Sequence, residues 1–229
     1  QTKWWIWRAG VFLAALAPLL YWSWMVANNA AGPEPGRYLL LNIGTGGLWM
    51  LLLTLCLTPL TKLTRWKGFA LIRRQLGLWA LTYATLHLLS YALFILGLDW
   101  SRLGSEIIKR PYIIVGMIAL IDLAVLGATS NRWAMKRLGK RWKPLHKCSY
   151  AILGLVLLHF FWVVRADMQE WAMYAALAAL IMATRLPPVA RTRPSGRWRR
   201  WRPGTCRWSR ADRPTRPSGT WRRWRPGTW

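Results

Sequence analysis

Histidine is the side chain that most readily ligates a transition metal or moves a proton near neutral pH. The 229-residue chain has three, His87, His146 and His159. His87 and His159 lie inside long apolar runs, where an ionisable side chain is costly and therefore points to function. His87 falls 13 residues after Arg74, and His159 falls 12 after Lys147, the last basic residue before each run. At about 1.5 Å per helical residue, both rings sit roughly 18 to 20 Å beyond those charges. Two imidazoles at one depth on two parallel helices can hold one iron from opposite faces of a porphyrin. The competing reading is that each bonds a neighbouring helix and does nothing else.

His146 precedes His159 by 13 residues, or about 20 Å along one helix, which suits a second redox centre nearer the basic end. At about 100° per residue, however, the two rings stand roughly 140° apart on an ideal helix. Beside Lys143 and Lys147, His146 reads equally as a solvated residue or as a contact for quinone or phosphate. Arg73 and Arg74 are candidates to contact a heme propionate, a flavin phosphate or a quinone, with charge topology as the simpler account. Asp122 also stands in an apolar run, where it could relay protons or pair with a nearby hydroxyl. A Gly-rich dinucleotide fingerprint, a Walker loop, a Ser/His/Asp order and paired catalytic carboxylates are all missing from the sequence. The chain therefore reads as a carrier of electrons, without catalytic residues or an NAD(P)H domain of its own.

The elements that must position these residues are transmembrane helices. Apolar segments of about 20 residues match the hydrocarbon thickness of a bilayer, and a chain this short cannot bury six of them. The expected spans are Trp7 to Ala27, Tyr38 to Leu60, Gln75 to Leu98 with His87, Pro111 to Thr129, Pro144 to Val164 with His159, and Glu170 to Leu186. Between them lie loops at Asn28 to Arg37, Thr61 to Arg74, Asp99 to Arg110 and Ser130 to Lys143, and a hinge at Arg165 to Gln169. Gly44, Gly46 and Gly47 in the second span would admit a close helix or a flat cofactor.

The expected fold is an all-α integral membrane bundle of six helices. Loops Thr61 to Arg74 and Ser130 to Lys143 carry five and six basic residues and no acid. The positive-inside rule then puts both loops and both termini in the cytoplasm, so the third and fifth spans run parallel. Much of the net charge of +26 is thus topology, and nucleic acid is not implied as a partner. Without a small-residue cleavage site after the first apolar run, that run is expected to be retained as a helix. Cys56, Cys148 and Cys206 show no metal-ligand spacing.

Three regions follow: 1–36, the first helix and outer loop; 37–186, the heme-binding bundle; and 187–229, a basic low-complexity tail. In the tail, RPSGRWRRWRPGT (Arg193 to Thr205) returns as RPSGTWRRWRPGT (Arg216 to Thr228). It reads either as a segment bound to the anionic inner leaflet or as a disordered extension, even the product of a shifted reading frame. No packed structure is expected there.

The segments RRQLGLWALTYATLHLLSY (Arg73 to Tyr91), RPYIIVGMIAL (Arg110 to Leu120) and LGATSNRWAMKRLGKRWKPLHKCSY (Leu126 to Tyr150), the His159 that follows, and GLWMLLLTLCLTPL (Gly47 to Leu60) carry a resemblance. Together they resemble the MsrQ (YedZ) family, the heme-binding membrane subunits of bacterial methionine sulfoxide reductase systems. That family belongs to the ferric reductase-like transmembrane group, which also includes NADPH oxidases. The likeness covers about residues 37–186.

The resemblance implies one or two b-type hemes, with FMN as a further candidate, and the quinone pool or a cytosolic flavin reductase as donor. Delivery would be across the bacterial inner membrane to MsrP, a periplasmic molybdenum-cofactor enzyme that reduces methionine sulfoxide in oxidised proteins. The resemblance also places His87, His146 and His159 at heme sites. A fourth His would fall near Arg73 and Arg74, so a second bis-histidine heme cannot be assembled from this chain alone. The rival readings are a stand-alone transmembrane ferric or oxygen reductase and a heme-free transporter or scaffold.

Overall fold

The computed structural model describes residues 2–164 and 168–185, and every regular element within them is helical. The tail 187–229, residue 186 and hinge residues 165–167 lie outside the described residues, and with them the expectation of tail disorder. Helix α1 is Thr2–Ala27 and α2 is Pro35–Thr64; α3, Lys67–Ser90, is extended by a π-helical turn at Tyr91–Ile95. The short α4 (Leu103–Lys109) follows, then α5 (Tyr112–Ala128). Helices α6 (Arg132–Leu138), α7 (Trp142–Lys147) and α8 (Ser149–Val163) form a nearly unbroken helical run, and α9 is Met168–Ala183.

Four stretches are long and apolar enough to cross a bilayer: Thr2–Ala27, Pro35–Thr64, Lys67–Ile95 and Arg132–Val163. Trp100–Lys109 taken with Tyr112–Ala128, although bent by 109°, would make a fifth. Helix α9 is apolar, but its 16 residues reach only about 24 Å against a hydrocarbon core of about 30 Å. By length alone the described residues give four or five spans where the sequence led us to expect six.

The two basic loops are corrected by the structure. Only Arg65 and Trp66 separate α2 from α3, and the chain turns there through a left-handed Arg65 (φ 56°) whose N–H caps the Thr61 carbonyl. The region expected as loop Ser130 to Lys143 is largely α6, a 3-10 turn and the start of α7. Lys and Arg are good helix formers, and a helix keeps its own backbone polar groups satisfied as it leaves the membrane, so charge alone does not end it. Charge runs mark which side a segment occupies better than they mark where a helix stops.

In lipid the hydrophobic effect no longer drives helices together, so close packing and interhelical hydrogen bonds must. Helix α2 packs most extensively on α3, and α5 on α8. Tyr83 of α3 is fully buried, donates to the Ala15 carbonyl of α1 at 2.7 Å and fills the space over Gly46 of α2. Trp7 donates to the Gly68 carbonyl at 3.2 Å and Gln75 to that of Arg8 at 2.8 Å, tying α1 to the start of α3.

A further bond follows from proline chemistry. Pro59 in α2 has no N–H, so the Leu55 carbonyl one turn earlier loses its intrahelical partner. The Arg185 guanidinium, just past the end of α9, donates to that carbonyl and, at 2.7 Å, to the Tyr150 hydroxyl of α8.

Candidate functional site

His87 lies in the last turn of α3, one turn past Tyr83, and His159 sits in the last turns of α8. Their ring centres are 6.2 Å apart and their planes cross at 87°. Each ring is held from behind by the helix it packs on. The Nδ1 of His87 pairs with the Leu40 carbonyl of α2 at 2.9 Å, and the Nδ1 of His159 with the Tyr112 carbonyl of α5 at 2.7 Å. A carbonyl only accepts, so each Nδ1 carries the proton and each Nε2 keeps its lone pair for a ligand bond.

The two halves of the arrangement repeat one design. In both, the carbonyl lies 47 residues before its histidine. In both, a glycine 43 residues before the histidine provides the seat: a Cβ on Gly44 would come within 2.8 Å of the His87 ring, and one on Gly116 within 2.9 Å of the His159 ring. Leu40, Gly44 and His87 thus map onto Tyr112, Gly116 and His159 with a constant shift of 72 residues. Helix pair α2–α3 and helix pair α5–α8 each supply half of one site.

Both histidines line a cavity of about 1200 Å³ between these pairs. Leu48, Leu51, Leu120 and Leu123 furnish apolar walls, and Gly44, Gly47 and Gly116 leave them flat. Among the described residues no three His, Cys, Asp or Glu cluster to hold a bare metal ion. Two opposed imidazoles suit a metal whose other four bonds come from a macrocycle. Two metal–imidazole bonds of about 2 Å, with about 1.1 Å from each nitrogen to its ring centre, span about 6 Å, and the observed ring separation matches. The residues present fit a heme.

His146 is elsewhere. It stacks on Trp142 with centres 4.1 Å apart; its Nδ1 lies 3.2 Å from the Trp142 carbonyl and its Nε2 3.3 Å from the Ser130 hydroxyl. Both nitrogens already have partners. The helix does break between His146 and His159, at Cys148, so the ideal-helix angle does not apply across it. Arg73 is close enough to act electrostatically on His146 and on Arg185, and both Arg73 and Arg74 are exposed. Neither arginine lines the cavity of His87 and His159. Asp122 of α5 also stands outside its lining.

The groups that hold the two rings from behind are not legible in the sequence. Main-chain carbonyls have no side-chain signature, so Leu40 and Tyr112 could not be singled out. Gly116 could have been, because a glycine 43 residues ahead of each intramembrane histidine is visible in the sequence. The cavity's charged rim, Glu34, Arg37, Lys109 and Arg110, falls in the segments 28–37 and 99–110, which the sequence marks as loops and a docking surface without tying them to the histidines.

A helical membrane bundle with two intramembrane histidines facing one flat apolar cavity defines a class of redox membrane protein, and the comparison with known families agrees. Residues 43–158 match the ferric reductase like transmembrane component family, and the chain belongs to it. His87 and His146 lie within the matched residues and His159 immediately after them. Within that family the chain is 38% identical over 189 residues to the protein-methionine-sulfoxide reductase heme-binding subunit MsrQ of Bordetella pertussis. The alignment covers 82% of this chain and 92% of that protein.

Proposed function

We propose that this chain is the heme-binding membrane electron-transfer subunit of a methionine sulfoxide reductase system. The observation that carries the reading is the pair His87 and His159, crossed at 6.2 Å in an apolar cavity, each with one nitrogen tied to a carbonyl. The similarity to a heme-binding MsrQ subunit supports it. Bound there, a b-type heme would supply a one-electron couple.

The protein's share is to fix two neutral imidazoles, exclude water and tune the potential. The carbonyl bonds set the tautomer and raise the basicity of the ligating nitrogen. Donation from the quinone pool or a cytosolic flavin reductase would enter at the basic end near His146, Arg73 and Arg74, the place for a second heme, an FMN or a quinone. The acceptor would be a periplasmic molybdenum-cofactor enzyme of the MsrP kind, docking on 28–37 and 99–110. The system's sulfoxide chemistry would belong to that partner.

We assign the chain to the bacterial inner membrane with six spans and both termini cytoplasmic. Supporting the sixth span, Trp171 near the start of α9 touches Leu157 and Phe161 of α8, whereas Arg185 past its end reaches Tyr150. Helix α9 therefore runs the length of α8 despite its 16 residues.

Purified protein should show heme bands in oxidised and dithionite-reduced spectra. His87→Ala and His159→Ala should each abolish them, and full heme content in both variants would sink the reading. Fast reduction of ferric chelates, with no transfer to a sulfoxide reductase, would instead favour a stand-alone ferric or oxygen reductase.

A further inference from the structure

The cavity's charged lining lies at one end. Apart from the histidines, its charged lining residues are Glu34, Arg37, Lys109 and Arg110, all at or just before the first turns of α2 and α5. Arg37 pairs with Glu34 at 3.3 Å, and Arg110 with Glu106 of α4 at 3.1 Å. A hydrogen bond with the Tyr112 side chain, more than the nearby Glu106 carboxylate, raises the Arg110 pKa above its usual value. Lys109 has no ion pair among the described residues.

A b-type heme is a flat apolar disc with two carboxylates on one edge. An ionised carboxylate buried without a cation is strongly disfavoured, so that edge must face cationic groups or water, and a charged mouth offers both. Among the described residues the cations lie at one end of this cavity, three of them against one lining carboxylate. Arg73 and Arg74, the cations considered from the sequence, do not line it.

Resting on the reading that this cavity holds heme, we propose that Arg37, Lys109 and Arg110 bind the two heme carboxylates and so orient the heme with that edge at the mouth formed by the starts of α2 and α5. Glu34 and Glu106 hold the two arginines in place. By the charge topology this mouth faces outward, so the heme edge lies beside segments 28–37 and 99–110. An outward partner docked there would receive the electron at the carboxylate edge.

The test is the midpoint potential of the purified, heme-loaded protein. A unit positive charge about 12 Å from the iron, at an effective dielectric of about 20, favours the ferrous form by roughly tenfold. That corresponds to about 59 mV for one electron. Lys109→Gln should lower the potential by about this much with the bis-imidazole spectrum unchanged, and Arg37→Gln should shift it the same way.

Lys62→Gln, an equal charge loss at the far end of α2, should leave it unmoved. Wild-type potentials in both rim variants, or an equal drop in Lys62→Gln, would overturn the proposal. Lys109→Gln leaves no carboxylate orphaned, so it remains informative if Arg37→Gln fails to accumulate. Failure of the heme reading itself is seen separately, as heme retained when His87 and His159 are replaced.

Discussion

Gly44 and Gly116 show what a single residue contributes at this site. Each lies so close to an imidazole that a methyl group cannot fit without moving the ring. Moving it also breaks the bond from Nδ1 to the Leu40 or Tyr112 carbonyl. Loss of such a supporting interaction weakens metal binding by about 10- to 100-fold. Gly44→Ala and Gly116→Ala are therefore expected to lose heme by about that factor in a titration of the purified protein. Gly77→Ala, whose Cβ would make ordinary contact with Thr54 at 3.7 Å, should bind as the parent does. Equal affinity in all three variants would show that the seats do not position the rings. At this scale matched depth in the sequence points to His87 and His159 together, and the structure sets their rings 6.2 Å apart. The sequence could not disclose the carbonyls behind them, and the partners of His146 depended on where α5 ends and α7 begins.

At the scale of the element, helix boundaries were the least legible feature and helix interiors the most. Basic residues 62–74 and 132–143 carry helical backbone because nothing in their side chains opposes it, and the turn at Arg65 needs only two residues. Pro59 illustrates the opposite case, a residue whose effect is plain from sequence but whose compensation is not. Its missing N–H frees the Leu55 carbonyl, and the donor comes from Arg185, 130 residues away. Leaving a buried carbonyl unpaired costs about 1–3 kcal/mol. Arg185→Leu should thus destabilise the purified protein by about that amount in a detergent unfolding titration. In a Pro59→Ala background α2 supplies its own donor, and the same substitution should cost measurably less. A double-mutant cycle isolates this coupling. Additive costs would mean that Arg185 stabilises the fold through Tyr150 alone.

For the whole molecule, the 72-residue correspondence between the two half-sites and the alternation of basic segments make one joint demand. Helices α3 and α8 must start on the same side of the membrane, so that His87 and His159 reach the same depth. The basic segments after α2 and around α6 lie at those starting ends, the side that the proposed topology puts in the cytoplasm. At this scale the test falls on α9, which is short for a bilayer but extends along α8 from Trp171 to Arg185. Cysteine labelling decides it. In a background with Cys56, Cys148 and Cys206 replaced by Ser, Leu63→Cys and Ile108→Cys place thiols at residues 83% and 84% exposed, on opposite sides in the proposed topology. An impermeant maleimide added to spheroplasts should label Ile108→Cys and spare Leu63→Cys. Thr184→Cys, just beyond α9, should be spared as well, because a sixth crossing returns the chain to the cytoplasm beside Leu55 and Tyr150. Labelling of Thr184→Cys from outside would mean that α9 does not cross, and the chain would have five spans with its C-terminus outward.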